Sequence, residues 1–310
     1  MAGDIRVKFG IALRQVFAEP RLDLAGLETF LARAEALGYE SVWVQEQILG
    51  AAGSLEPVTL LAYAAARTRR VRLGTAVLLT PLRGPVQLAK SLATVDQLSG
   101  GRLIVGVGLG SRTQIYPAFG LSPERRVRRF VEGLEVMKRL WTEERVTFDG
   151  AFFKLENAAM APKPVQKPHP PIWFGGRHPD ALRRAVRLGD GFIGAGSSST
   201  AEFREAVDHV RRCLGEAGRD PATFALAKRV YLAVDSDRSR ALGRLREWFG
   251  WYYGNAALAE RVALAGPVEQ CLEGLREIRA IGAELLLLNP AFDETRHMEL
   301  LAEKILPALR

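Results

Sequence analysis

Near the middle of the chain the stretch Trp173-Phe174-Gly175-Gly176 runs directly into Arg177-His178-Pro179-Asp180. An apolar strand that ends in two glycines and hands over to a Pro-opened helix suits an anion. The glycines let the backbone approach a ligand, the first helical turn offers unpaired N–H donors, and Arg177 adds a fixed positive charge. The same residues also suit a plain tight turn. A second glycine-rich polar segment, Gly194 to Ser199, follows the next apolar run, and two such loops on adjacent strand ends favour the anion reading. A third, Gly108-Leu109-Gly110, follows the apolar run Leu103 to Val107, while Glu46 and Gln47 stand where the run Glu40 to Gln45 opens into a long loop.

Other kinds of chemistry find no support. The chain has no Gly-x-Ser-x-Gly elbow, no Walker loop and no His-x-His or His-Glu-x-x-His spacing, so no metal site is expected. Of the four histidines, His169 sits among prolines and His209 and His297 fall in helical patterns, which leaves His178, beside the anion site, as the best placed. Cys213 and Cys271 lie far apart within helical patterns and read as reduced thiols. With so few ionisable groups at the strand ends, an enzyme of this kind would rely on a cofactor for its difficult chemistry.

The elements that must position these groups alternate regularly. Strands are expected at Ile5 to Leu13, Glu40 to Gln45, Val71 to Leu79, Leu103 to Val107, Trp173 to Gly176, Asp190 to Ile193, Phe224 to Val234 and Ala283 to Leu288. Helices are expected between them: Leu24 to Leu37, Pro57 to Arg67, Pro85 to Leu98, Ser122 to Trp141, one from Arg177 onward, Ala201 to Glu216, Ser239 to Phe249 and Pro267 to Ile281, with a last from Thr295 to Leu309. Ser122-Pro123-Glu124 reads as a helix start, and the aromatic segment 248–254 as a loop that packs or forms a lid. The pattern predicts an α/β fold, a single (β/α)8 TIM barrel over residues 1–310 with insertions at its C-terminal face, where barrel chemistry takes place. Two segments break the rhythm at about 145–171: a short hairpin expected at the barrel mouth, and a tether with five prolines that should be extended and rigid.

Composition narrows the function classes. Of 310 residues, 48% are hydrophobic and 25% charged, with no apolar run long enough to span a membrane and no secretory leader pattern, so a soluble, cytoplasmic protein is expected. The net charge of +8 invites a nucleic-acid reading. However, the arginines are spread along helices, as at Arg125, Arg126, Arg128 and Arg129, without aromatic interleaving. No nucleic-acid partner is expected; a basic rim that steers an anionic ligand fits better.

Several blocks together resemble the luciferase-like monooxygenase superfamily, whose members bind FMN or the deazaflavin coenzyme F420. They are ALGYESVWVQEQ at 36–47, RVRLGTAVLLTPLRGPVQLAKSLATVDQLSGGRLIVGVGLG at 70–110, APKPVQKPHPPIWFGG at 161–176 and ALRRAVRLGDGF at 181–192. The resemblance covers nearly the whole chain. It implies a non-prolyl cis peptide at Ala76–Val77 that backs the flavin ring, a cofactor phosphate at Gly175, Gly176 and Arg177, and passage of Gly108, Leu109 and Gly110 close to the ring. It also implies that Glu46 and Gln47 lie beside the reacting centre as catalytic residues.

The chain departs from the family at two points. The family usually has an acid followed by a proton-exchanging histidine after strand two, where this chain has Glu46-Gln47, and a glutamate in the loop before Ala118-Phe119-Gly120, where it has Ile115. Glutamine can orient a group by hydrogen bonds but exchanges no proton near neutral pH, which leaves Glu46 as the acid-base candidate. Three readings follow. The first is an F420-dependent oxidoreductase moving a hydride to or from a small organic substrate, favoured by the mouth arginines and the acidic tail of that coenzyme. The second is an FMN-dependent monooxygenase served by a reductase. The third is a flavin-binding protein without catalysis. The resemblance also implies homodimers, with Ala62 to Ala66 and the helix after strand three as candidate contact faces.

Overall fold

The computed structural model describes residues 7–17, 21–50, 52–111 and 113–310. Ile5 and Arg6 of the expected first strand, Pro20 and Arg112 lie outside the described residues. Eight parallel strands close on themselves: β1 Lys8–Ala12, β2 Ser41–Val44, β3 Arg72–Thr75, β4 Leu103–Val107, β5 Ile172–Gly175, β6 Gly191–Gly194, β7 Ala225–Val234 and β8 Leu285–Pro290. Each pairs with the next in sequence, and β8 pairs back onto β1 with Phe9 opposite Leu286. Helices α1 Leu24–Ala36, α2 Pro57–Arg67, α3 Pro85–Ser99, α4 Arg126–Thr142, α5 Pro179–Leu188 and α6 Thr200–Glu216 follow the first six strands. After β7 come α7 Arg238–Tyr253 and α8 Val268–Ile281, and α9 Glu294–Leu300 opens the C-terminal helical segment. The TIM barrel expected from the strand-helix rhythm is therefore the observed fold.

Two tryptophans fill the tube. Trp43 from β2 and Trp173 from β5 face inward with ring centroids 5.5 Å apart, joined by Ile104, Ile193, Ala227, Leu285 and Leu287. Rings this large fit only because neighbouring strands present glycine: a Cβ at Gly10 or Gly74 would overlap the Trp43 ring, and one at Gly191 the Trp173 ring. The Trp43 indole N–H donates to Ser41 Oγ at 2.8 Å, so the buried polar edge is satisfied.

Several local expectations change. Helix α4 starts at Arg126, not Ser122; Ser122 Oγ instead accepts from the Glu124 N–H in a turn, and Arg125 at φ 56° enters the helix from the left-handed region. The aromatic segment 248–253 is no loop but the last turn and a half of α7, ended by Gly254 in the left-handed conformation. Trp248, Phe249 and Tyr253 pack against Tyr231 of β7, which holds this turn in the helix, while Trp251 stays exposed. The hairpin, Val146–Asp149 with Lys154–Ala158, packs along α4 instead of standing on the mouth: Glu132 of α4 accepts from the N–H groups of Ala151, Phe152 and Phe153 at 3.1, 2.7 and 2.9 Å. The proline-rich tether is pinned by Gln166, which bonds the buried Asp96 through both its backbone and side chain and reaches the Leu103 carbonyl at 2.8 Å. No helix among the described residues is long and apolar enough to cross a membrane.

Strand β3 ends where the site begins. Thr75 Oγ1 donates to the Gly106 carbonyl and accepts from its N–H, each at 2.8 Å, which locks β3 to β4 just below the loop. A Cβ at Gly106 would overlap the Thr75 carbonyl. Gly106→Ala is therefore expected to lower stability by about 2–3 kcal/mol. Urea denaturation checks this, and a variant as stable as the parent would contradict the packing.

Candidate functional site

A cavity of about 940 Å³ opens at the C-terminal end of the barrel, between the ends of β3 to β7. One wall is the segment after β3. The Ala76–Val77 peptide bond is cis. Ala76 N–H donates to the Val44 carbonyl at 2.7 Å, and Leu78 then bridges β4 through Gly106 O at 2.8 Å and Gly108 N at 2.9 Å. The Val77 side chain fills the space between neighbouring loops: a Cβ at Gly108 would lie 2.7 Å from one of its methyls, and one at Gly175 3.1 Å from the other. These two glycines thus admit Val77 to the wall, a reason the sequence did not reveal. Gly110 at φ 70° turns the β4 loop back over Leu79, and Leu109 O accepts from Tyr116 OH at 3.2 Å.

The outer end of the cavity is cationic. Gly175 and Gly176 close β5; a Cβ at Gly176 would sit 2.8 Å from that of Ala181, so this glycine lets α5 start tight against the strand. His178 caps α5, its ring nitrogen accepting from the Asp180 N–H at 3.2 Å. Arg177 donates to Ser197 Oγ at 2.6 Å across the two glycine loops, bringing together the two segments singled out in the sequence. Arg126, Arg177, Arg184, Arg229 and Arg261 line the cavity against a single acid, Asp180. Arg126 Nη1 is buried there without a hydrogen-bond partner among the described residues, and burial lowers the Arg184 guanidinium from its ordinary value. Arg261 is paired with Glu202 at 2.8 Å, so the lining retains an excess of cationic donors and one orphaned buried donor, an arrangement suited to a ligand with negative groups.

Two basic residues missed by sequence reasoning lie beneath this surface on β7. Lys228 is 2% exposed and donates to the carbonyls of Ala195 and Ser198 and to Ser198 Oγ, holding the loop after β6 from below. Burial, then the nearby Arg177 and Arg229 charges, push its amine down to about 7. Arg229 donates through Nε to Asn289 Oδ1 at 2.7 Å, through Nη2 to Gln45 Oε1 and to Tyr231 OH at 2.8 Å, and through Nη1 to the Ala76 carbonyl at 3.5 Å. Adjacent Lys and Arg inside an otherwise apolar ten-residue strand were the available signal.

Glu46 and Gln47 are placed otherwise than the proton chemistry suggested. The Glu46 side chain is fully buried; one oxygen accepts from the Leu79 N–H and the other from Arg83, which also pairs with Glu56 at 2.7 Å. Burial raises its carboxyl from the ordinary value, with Arg83 pulling the other way. Both oxygens are engaged in holding the wall, so the carboxylate works as an anchor. Gln47 folds over Gly50 and does not line the cavity. Gln45, not singled out from sequence, donates to Tyr252 OH at 2.7 Å and reaches Arg229. Among the described residues no cluster of three or more His, Cys, Asp or Glu side chains could hold a metal ion.

Comparison with known proteins agrees with this geometry. The sequence profile of the luciferase-like monooxygenases matches residues 7–285. The F420-dependent glucose-6-phosphate dehydrogenase of Nakamurella multipartita is 30% identical over 89% of this chain and 90% of its own. The monooxygenase RslO1 of Streptomyces bottropensis superposes with a TM-score of 0.80 at 31% identity, covering 98% of this chain and all of its own (100%). An F420-dependent secondary alcohol dehydrogenase shares the fold, with a TM-score of 0.85 at 23% identity over 98% of this chain and 99% of its own.

Two tests follow from the buried charges. Breaking a buried ion pair costs roughly 3–5 kcal/mol; because Arg83 keeps Glu56, Glu46→Ala is expected to lose about 3 kcal/mol in urea denaturation, whereas an unchanged midpoint would free Glu46 for proton exchange. At Lys228 the folded value of about 7 lies below the ordinary 10.5. The unfolded chain therefore binds the extra proton between these values, and this site makes stability rise with pH across that window. Lys228→Met is expected to flatten the rise, measured by denaturation at several pH values; an identical pH dependence in both proteins would refute it.

Proposed function

The chain belongs to the luciferase-like monooxygenase family, and we propose that within it this protein is an F420-dependent oxidoreductase acting on a small organic substrate. The cationic end of the cavity carries this reading: Arg126, Arg177, Arg184 and Arg261, the last paired with Glu202 at 2.8 Å, with Arg126 Nη1 buried and without a hydrogen-bond partner among the described residues. A flavin mononucleotide brings one terminal phosphate, which the backbone at Gly175 and Gly176 with Arg177 would satisfy. Coenzyme F420 brings a phosphodiester and an acidic tail, which also gives Arg126 and Arg184 partners. The identity with an F420-dependent relative over nearly the full length of both chains supports the same choice.

In this reading Gly175, Gly176 and Arg177 hold the phosphate, and Lys228 and Ser197 fix the loop opposite. The wall from Ala76 to Leu79 backs the ring system, and Gly108 to Gly110 flank it. A bound deazaflavin supplies a two-electron hydride donor or acceptor. The chain's part is to orient that group and the substrate, keep water from the reacting face and move the accompanying proton. The apolar surface of Val77, Phe130, Phe174 and Ile193 within the cavity suits a flat ring.

A second reading, an FMN-dependent monooxygenase with a separate reductase, is favoured by the 31% identity to RslO1. Fluorescence titration of the purified protein with F420, and absorbance titration with FMN, separate the two. F420 is expected to bind tighter, and Arg126→Ala or Arg184→Ala to weaken it roughly 10-fold, as for loss of one charge-assisted hydrogen bond, while leaving FMN unaffected. Tight FMN with no F420 binding would overturn the first reading, and binding without turnover of any substrate would point to a flavin carrier.

A further inference from the structure

The wall after β2 leaves the proposed reaction without an obvious proton carrier, because Gln47 carries no exchangeable charge and both Glu46 oxygens are engaged. The opposite side of the cavity offers a phenol. Tyr253, the last residue of α7, lines the same cavity as Ala76, Val77 and Arg229. Its hydroxyl lies 2.9 Å from Tyr231 OH, and no other hydrogen-bond partner for it occurs among the described residues.

A guanidinium only donates, so the Tyr231 oxygen accepts from Arg229 Nη2 at 2.8 Å. Either phenol could donate in the Tyr231–Tyr253 bond, but Tyr231 is fully buried and its hydrogen has Tyr253 as its one acceptor among the described residues. Donation from Tyr231 to Tyr253 therefore satisfies the buried hydroxyl and leaves the Tyr253 hydrogen available to the cavity. The chain Arg229 to Tyr231 to Tyr253 is thus a row of donors, each polarised by the one behind it. At its origin Arg229, 8% exposed, has amide, phenol and carbonyl partners and, among the described residues, no carboxylate bonded to it. Tyr231 itself is fully buried, so this positive charge is felt through it at low dielectric.

Resting on the deazaflavin reading above, we propose that Tyr253 is the catalytic acid and that the substrate presents a carbonyl oxygen, or in the reverse direction a carbinol hydroxyl, to its phenol. In the reducing direction the carbonyl carbon takes up a hydride from the reduced deazaflavin, which is thereby oxidised, and the C=O π electrons move onto oxygen. That oxygen forms its O–H bond with the Tyr253 proton as the phenol O–H bond breaks. The phenolate left behind is held by the Tyr231 O–H and the Arg229 charge, and regains a proton from water through the open cavity. Alcohol oxidation is the same path reversed. Among rival carboxyls, Asp180 lies at the cationic end, paired with Arg183 at 2.9 Å, and Glu294 lines an adjoining chamber of about 30 Å³ that shares Ala76 and Arg229 with the cavity, where it faces Arg14 at 3.6 Å.

The test pairs the wild type with Tyr253→Phe, which keeps the ring packing against Phe249 and Tyr252. F420 binding is measured first by fluorescence quenching. Single-turnover reduction of acetone, cyclohexanone and benzaldehyde by F420-loaded, reduced protein is followed next. The infrared carbonyl stretch of bound cyclohexanone provides a readout independent of turnover. The expected result is unchanged F420 affinity, a turnover loss of at least about 100-fold in the variant, and loss of the hydrogen-bonded downshift of the carbonyl band. Equal rates, or a downshift that survives in the variant, would overturn the proposal. A wild type that binds F420 but reduces none of the carbonyls, and oxidises none of a matching panel of alcohols, would overturn the substrate class and Tyr253's role while the cofactor reading stands. Absence of F420 binding would overturn both.

Discussion

A guanidinium buried in the mouth of a barrel constrains everything around it. A buried guanidinium cannot be left dry without partners, so the strands around Arg229 must supply acceptors. They do so from four directions: Asn289 from β8, Gln45 from the end of β2, Tyr231 from β7 itself and the Ala76 carbonyl just past β3. Gln45 is in turn fixed by Gln15, whose amide bonds both the Gln45 and the Leu55 carbonyls at 2.6 Å. One charge therefore ties together loops that are far apart in sequence, and the residues that satisfy it are the ones that shape the inner end of the cavity. Neutral partners do this without cancelling the charge, which leaves the field of Arg229 available to a ligand.

The cavity is consequently graded. Its outer end gathers Arg126, Arg177, Arg184 and Arg261, and its inner end has the single enclosed charge of Arg229 among phenols and amides. Lys228, next to Arg229 but pointing to the other side of the strand, spends its donors on loop carbonyls and stiffens the segment opposite the glycine pair. The two neighbours on β7 thus serve two ends of the site. In the proposed reading an anionic group would be drawn to the outer end by several partly solvated charges, while selectivity at the inner end would rest on a few directional hydrogen bonds.

The alternation of apolar runs with helical hydrophobic patterns made the barrel legible, because strands buried on both faces read as apolar runs and the helices between them as amphipathic. The glycine pair and Arg177 were legible as a tight, basic strand-to-helix junction, and the structure brings Arg177 against Ser197 of the second glycine-rich loop. The wall glycines were visible as residues but not as packing, since Gly108 and Gly175 yield to Val77, a contact between segments some thirty and a hundred residues apart. The aromatic end of α7 misled because Trp248, Tyr252 and Tyr253 resemble a surface loop until their buried partners Tyr231 and Phe249 are known. Glu46 was located correctly at a strand end. Its engagement by Arg83, thirty-seven residues on, is a tertiary fact that no local pattern could signal.

The pinning of the wall has a consequence for specificity. Between Ala76 and Arg83 the chain is held by the Val44 carbonyl, by both sides of the β4 bridge, by Glu46 at the Leu79 N–H and by the Arg83 pair with Glu46 and Glu56. A segment fixed at so many points presents a set surface and has little freedom to adapt to different ligands. The opposing surface is the end of α7, held by aromatic packing and phenol contacts to β7, with the segment 254–261 beyond it, held by the Glu260 pair with Arg246 and the Arg261 pair with Glu202. Small changes of side chain there alter the room above the wall without disturbing the barrel. In the proposed reading, variation in what is bound is thus decoupled from the fold: the wall and the basic end are fixed by the barrel, and the edge that would meet the substrate is the C-terminal turn of α7.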